Sequence, residues 1–457
     1  MLGLLSAGSN AQGQLGNTTV DDSHVFQLCC FRNLPGGTLP PNTTHVTEVA
    51  NGANYTLLLL EVKTAEEMKS TEVWGCGDGR LGQLGPGLRQ EKPITAFHKL
   101  AVETALGKLG LEKYTIKSLG ATWETSYLVI ARPGSHDAII SFGSNEFGDL
   151  GIGRNAGDKG VEKGPGVHIV DFSHVSVAGK TIKSAKTVTV EKLRTGQRHV
   201  IVLLKVVWGD WEPIQILIGW GACRHGQLGD VTSSTYKVSS RPSPVRQSTA
   251  KPRKPGISSP PTYISQPILV SFSDSPSGFI VDYSLGIHHS AFLHASGRIS
   301  VKGSNRKNQI QDLETLQSIR DIKCTWNGTC ILTADVPTRI LSTGSNSHGQ
   351  LGRADDSSNL QVVTIPLTHA SIKALACGSE HSLVLLTVDG RDDEVWGWGW
   401  NEHGNLGIGT TVDSPIPQRL WPSSDGYRPH RILNIWGGNG SSWILCETSN
   451  DTIQSSR

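Results

Sequence analysis

The residues best suited to chemistry, histidines and cysteines, fall largely at repeated positions. His199, His289 and His381 each stand fourth in an eight-residue stretch of the form Gly-x-x-His/Tyr-Ser/Thr-x-x-Leu. An imidazole can serve as general base, proton shuttle or metal ligand. One group presented by equivalent turns instead implies a repeated structural task, such as a bond to a neighbouring strand's carbonyl. His225, His348 and His403 share the fifth position of a second repeated stretch. That makes them turn residues on one face, held apart by their repeats, and not a metal site. The eight cysteines, at 29, 30, 76, 223, 324, 330, 377 and 446, contain no Cys-x-x-Cys pair, so zinc and thioredoxin-like chemistry lack their signature. Gly-x-x-x-x-Gly recurs, but no Gly-Lys-Ser/Thr follows it, and no Gly-x-Ser-x-Gly elbow occurs. The expectation is a chain without catalytic residues, bound metal or cofactor, and not an enzyme.

The elements that position these residues come from two alternating repeats. The first reads Gly-x-x-x-x-Gly-x-Leu-Gly, with clear copies at Gly8–Gly16, Gly77–Gly85, Gly143–Gly151, Gly221–Gly229, Gly344–Gly352 and Gly399–Gly407. A decayed seventh copy, Gly303–Gln311, has Asn308 in place of the second glycine and Ile310 in place of leucine; Asn also tolerates positive φ. The second is the histidine stretch, clear at Gly52–Leu59, Gly286–Leu293 and Gly378–Leu385. It is altered at Gly196–Leu203 and Gly438–Leu445, and weak at Thr122–Val129 and Thr325–Leu332. Short β-branched and aromatic runs flank both patterns, which reads as strands between glycine turns. Seven of each predict an all-β fold, a seven-bladed β-propeller spanning residues 1–446, with the nonapeptide leucine plugging the gap between blades. The chain begins on the second half of a repeat and finishes on the first half, so N- and C-terminal strands should pair in one shared blade and close the ring.

Composition agrees. Glycine is 52 of 457 residues, charged residues are 18% and net charge is +2; that disfavours a helical bundle and supplies no global field for nucleic acid. No basic segment precedes the short apolar run Met1–Leu5, and no run of about 18 apolar residues occurs. The chain is therefore expected in the cytoplasm or nucleus, with reduced thiols and no membrane contact. Val231–Pro267 holds seven Pro and six Lys or Arg without Asp or Glu, and is expected to be a disordered basic insertion, solvated or touching an acidic partner. Ala96–Leu111 has apolar residues near helical spacing, Asn155–Lys186 reads as a polar loop, and 447–457 as a flexible tail.

The paired motifs resemble the regulator-of-chromosome-condensation family of seven-bladed propellers over nearly the whole chain. The closing residues, Cys377–Ser382, Trp396–Asn405, Trp436–Gly438 and Ser442–Leu445, look like the branch that holds a fungal α-tubulin suppressor and an animal secretion-associated exchange-factor homologue. That likeness implies a heterodimer with a small CSL-type zinc electron-carrier protein serving the Elongator pathway of tRNA wobble-uridine modification and diphthamide synthesis. The wider family implies the alternative, exchange or regulation of a small GTPase. The family's nucleosome docking uses a basic N-terminal tail, whereas here the first repeat starts at Met1; no direct nucleic-acid contact is expected. A non-catalytic disc binds through aromatic anchors with a polar rim. The copies richest in Trp and acid nominate Glu380, His381, Trp398, Trp400, Asn401, Glu402, His403 and Trp443 as the partner-binding set. Of Trp398 and Trp400, Trp400, nearer the turn, is the one expected to reach a loop face.

Overall fold

The computed structural model describes residues 1–88, 90–153, 166–209, 212–230, 261–355, 357–367, 370–388, 392–422 and 431–447. It is a seven-bladed propeller. Blade 1 is shared between the chain ends, in the order Ser23–Leu28, Leu2–Gly8, Ser441–Glu447, Arg431–Gly437. The Ser441–Glu447 strand is held on both sides, Leu2 facing Glu447 through Gly8 facing Ser441 on one edge and Gly437 facing Ser442 on the other. Blades 2, 3, 4, 6 and 7 are antiparallel four-stranded sheets that start at Thr43, Thr115, Thr187, Ile319 and Ala370. Among the described residues, blade 5 has three strands, Ile280–Leu285, His289–His294 and Ile299–Gly303.

The innermost strand of every blade, Arg431–Gly437 in blade 1 and the first strand in the others, lines an axial cavity of about 550 Å³. Because neighbouring strands are antiparallel, the first hairpin of each blade and its third-to-fourth turn emerge on the same face of the disc. The histidine stretches form those hairpins and the nonapeptides form those turns, so both repeats decorate one loop face. At its centre, peptide groups of successive hairpins bond each other: Ala53 N donates to Trp123 O (2.8 Å), Trp123 N to Gln197 O (2.8 Å), Ile287 N to Trp326 O (3.0 Å) and Trp326 N to Ser379 O (2.6 Å). The Trp123 and Trp326 rings meet across this centre at 5.9 Å.

The core lies between blades. One cluster joins Leu5, Ile435 and Ile444 of blade 1 to Leu383, Leu385, Val395 and the nonapeptide Leu406 of blade 7, the inter-blade plug expected of that leucine.

Four boundaries differ from the sequence reading. The insertion stops short of Pro267, because Tyr263–Ser273 is the outer strand of blade 4. Pro267 sits where that strand bulges between its pairs with Gly219 and Gly221, a place where a missing N–H is tolerated; residues 231–260 lie outside the described residues. Within Ala96–Leu111 the helix is only Val102–Lys108, and Ala96–Lys99 belong to the outer strand of blade 2, where Phe97 is buried against Phe31. Of 155–186, residues 155–165 are not described, and the rest is not a polar loop: Val170, Phe172, Val175, Val177 and Ile182 are buried against blades 3 and 4. Glu447 ends a strand, and 448–457 lie outside the described residues. Among the described residues no helix is long and apolar enough to cross a membrane.

Candidate functional site

The hairpin histidines are clasps between blades. His289 Nε2 lies 3.1 Å from Thr329 Oγ1 of the next blade, whose hydroxyl donates to Gln309 O at 2.7 Å. His199 Nε2 lies 3.5 Å from Ser290 Oγ, which donates to Gln227 O at 2.9 Å. His381 Nε2 donates to Ser441 O at 3.2 Å and lies 3.1 Å from Ser442 Oγ. Tyr55 takes the same place in blade 2, its hydroxyl 3.4 Å from Thr122 O and 3.1 Å from Ser126 Oγ. The glycine three residues earlier makes room for the ring: a Cβ on Gly52, Gly196, Gly286 or Gly378 would fall 1.8–2.3 Å from a ring carbon. The copies that begin with Thr122 and Thr325 carry Thr125 and Gly328 there instead of a ring. Burial pushes His199 down to about 3, and His289 and His381 to about 4, so these imidazoles are neutral and occupied by the fold.

The nonapeptides are braced by their own side chains. The third residue's amide oxygen accepts the backbone N–H of the eighth, as Asn346 does from Leu351 (3.0 Å) and Asn401 from Leu406 (2.8 Å). The seventh residue's amide accepts the N–H of the fifth, as Gln227 does from His225 (3.0 Å) and Gln350 from His348 (2.8 Å). The fifth residue is thereby held on the loop face.

Those rules sort the nominated residues. Trp398, Trp443, His381 and Asn401 are fully buried and offer a partner no surface. Trp398 Nε1 donates to Gln350 O at 3.1 Å across the blade 6–7 seam, Trp443 Nε1 to Ser441 Oγ at 3.1 Å, and Asn401 Nδ2 to Thr410 O at 2.8 Å. Glu380 is nearly buried too: its carboxylate accepts from Asn327 Nδ2 (2.6 Å) and Gln350 Nε2 (2.8 Å), and burial raises its pKa. Trp400, Glu402 and His403 remain at the surface.

Around Trp400 the structure assembles a group that crosses three blades. The indole lies between His348 of blade 6 (ring centroids 6.2 Å apart) and His403 (5.2 Å), and its N–H donates to Glu402 Oε2 at 3.2 Å. Its backbone N–H is tied to Glu380 O at 2.8 Å. Each histidine is oriented by a carboxylate on the following blade: His348 Nδ1 donates to Asp413 Oδ2 at 2.9 Å and His403 Nδ1 to Asp22 Oδ2 at 2.7 Å. The other oxygen of each carboxylate accepts a nonapeptide N–H, from Asn401 and from Asn10, both at 2.8 Å. Beside these acids stand Val412, 72% exposed, and Val20, 46% exposed.

Sequence reasoning missed His348, Asp413, Asp22, Val412 and Val20. The available signal was a third repeat: the nonapeptides of blades 1 and 7 are followed by Thr18-Thr19-Val20-Asp21-Asp22 and Thr410-Thr411-Val412-Asp413. The fifth-position histidines are also less separated than expected, since two of them flank one indole.

Family models described as the Regulator of chromosome condensation (RCC1) repeat match residues 339–385 and 392–445, and also 372–405. The secretion-regulating guanine nucleotide exchange factor of Mus musculus is 32% identical over 483 residues, covering 97% of this chain and 83% of that protein. The chain belongs to the RCC1 repeat family. This RCC1-repeat chain is also 24% identical over 447 residues to an RCC1 repeat-containing protein of Schizosaccharomyces pombe, covering 97% of the chain and 99% of that protein. The same fold occurs in human WBSCR16 (TM-score 0.65, 17% identity, 98% of this chain and 99% of that one) and in yeast RCC1 (Prp20) bound to Kap60 (TM-score 0.64, 16% identity, 100% and 91%). The repeat matched at 392–445 straddles two blades of the RCC1 propeller, the outer half of blade 7 and the inner half of blade 1. Trp400 stands within it.

Proposed function

We propose that this RCC1-repeat propeller is a non-catalytic docking protein, working in the cytoplasm or nucleus. It receives a small CSL-type zinc electron-carrier protein as a heterodimer, and so supports wobble-uridine modification through the Elongator pathway and diphthamide synthesis on elongation factor two. The observation that carries the docking role is the blade 6–7–1 sector: a half-buried indole braced by two carboxylate-oriented imidazoles, with an exposed valine shortly before each of the two acids in sequence. Rigid aromatic anchors lose little entropy on binding and dominate interface energies. The choice of partner rests on the likeness of the closing residues to the fungal suppressor branch.

The test is calorimetric titration of the purified chain with a recombinant CSL-type zinc protein. A saturable one-to-one complex, weakened at least tenfold by Trp400→Ala, supports the reading; no complex at high micromolar concentration overturns it. The name of the mouse relative favours a second reading, exchange on a small GTPase. Faster release of labelled guanine nucleotide from a GTPase recovered on the immobilised propeller would select it.

A further inference from the structure

Two thiols in the seam between blades 6 and 7 have no part in the docking role. Cys330 lies in the second strand of blade 6, and Cys377 ends the inner strand of blade 7. From opposite blades both approach one hydroxyl: Ser382 Oγ is 3.7 Å from Cys330 Sγ and 3.3 Å from Cys377 Sγ. Cys330 is buried, whereas Cys377 is half-buried and lines the axial cavity, so a small solute in that cavity meets Cys377, with Cys330 behind it in the seam. A thiol contact from Cys377, with help from the Ser382 hydroxyl and the Arg353 guanidinium, draws Cys330 below the usual thiol range. The same contact, with burial, pushes Cys377 up. Arg353 is itself fixed, donating to Ser342 Oγ at 2.8 Å and to the Ser357 and Asn359 carbonyls at 2.8 and 2.6 Å. Two thiols that converge on one hydroxyl from opposite blades are placed to form a disulfide once one of them is oxidised. Cys324 ends the inner strand of blade 6 as Cys377 ends that of blade 7, with Thr329 Oγ1 at 3.8 Å; it is the natural competitor.

We propose that Cys330 and Cys377 are a two-electron redox pair, oxidised by a hydroperoxide to a disulfide that staples blade 6 to blade 7. One sulfur of the pair, reacting as its thiolate after giving its proton to water, attacks the peroxide; the O–O bond breaks, sulfur becomes a sulfenic acid, and the departing oxyanion takes a proton from water to leave as an alcohol or water. The second thiol then attacks the sulfenyl sulfur. The S–S bond forms, the S–O bond breaks, and hydroxide leaves with the thiol's proton as water. A reducing dithiol returns both cysteines by exchange. The staple closes the seam beneath the Ser379–Glu380 hairpin, which already reaches blade 6 through Trp326 N to Ser379 O (2.6 Å) and Asn327 Nδ2 to Glu380 (2.6 Å).

The experiment treats the full chain with hydrogen peroxide, alkylates remaining thiols under denaturing conditions and maps the peptides by mass. A Cys330–Cys377 cross-link, two hydrogens lighter than the separate peptides and reversed by dithiothreitol, is the expected result. In Cys377→Ser the cross-link disappears and the remaining thiol of the pair is trapped by dimedone as a sulfenic acid. Alkylation of both cysteines in the treated parent, a bridge to Cys324, or oxidation to sulfinic acid without any bridge overturns the proposal. The parent's map decides this even if the variant does not fold.

Discussion

Trp398 and Trp400 are two residues apart and do different work. Trp398 fills the seam and bonds Gln350 O, so Trp398→Ala should cost about 3–5 kcal/mol of stability. Trp400 rests on the surface of its turn, so Trp400→Ala should cost little stability and about 2 kcal/mol or more of partner binding. Paired denaturation and titration of both variants check this; equal destabilisation would mean that Trp400 is also a packing residue. The clasp histidines set a pH response. His199, His289 and His381 fall from 6.5 to about 3, 4 and 4 in the fold because burial disfavours the charged ring. The unfolded chain then binds more protons below pH 6.5, so their contribution is complete above 6.5 and lost as pH falls toward 4. Each should remove about 1.4 kcal/mol per pH unit once it is fully protonated in the unfolded chain. Urea melts between pH 7 and 4.5 should show the slope, and His289→Gln should reduce it by one proton's share.

At the scale of the element, each repeat encodes a pair of constraints that satisfy one another. In the hairpin stretch the first glycine exists for the ring at the fourth position: a Cβ on Gly286 would sit 2.1 Å from His289 Cε1. Gly286→Ala should cost about 1–3 kcal/mol by overpacking. Combined with His289→Thr it should cost less than the two single changes added, because the clash with the ring is gone and only the 2.9 Å approach to Thr325 O remains. A double-mutant cycle by chemical denaturation measures that coupling, and strict additivity would refute it. This dependence was readable beforehand in one direction: the two copies that lost the glycine also lost the ring, while the Gly438 copy keeps the glycine with Ser441 in the ring's place. The asparagine and glutamine braces of the nonapeptide were equally visible as Gly-Ser-Asn and Gly-Gln-Leu-Gly. What spacing alone does not say is that Asn401 points inward. Its amide closes the loop on Leu406 N, and a residue nominated as a contact proves to be scaffold.

For the whole molecule, closure through blade 1 makes the ring one cooperative unit. The Ser441–Glu447 strand bonds both the N-terminal strand and the inner strand of its blade. Deleting 438–457 should expose two strand edges and part the blade 7–1 core around Leu406 and Ile444. The expected outcome is loss of the single melting transition and general protease sensitivity. A truncated chain that melts like the parent would show that the ring does not depend on its clasp.

The sequence by itself determined the architecture: seven copies of each repeat set the number of blades, and the half-repeats at the ends set how the ring closes. Local spacing is enough for that, because a turn and its two strands are built from neighbouring residues. It also marked Trp400, through the unusual tryptophan and acid content of its turn. Only the tertiary structure decided which nominated residues have a surface, because burial depends on the blade that packs alongside. It likewise decided that His348, Asp413, His403 and Asp22, drawn from positions as far apart as 22 and 413, stand around one indole, and that Cys330 and Cys377 share one seam. Those meetings follow from ring geometry, which sets the last blade against the first and brings chain ends together that sequence separation keeps apart.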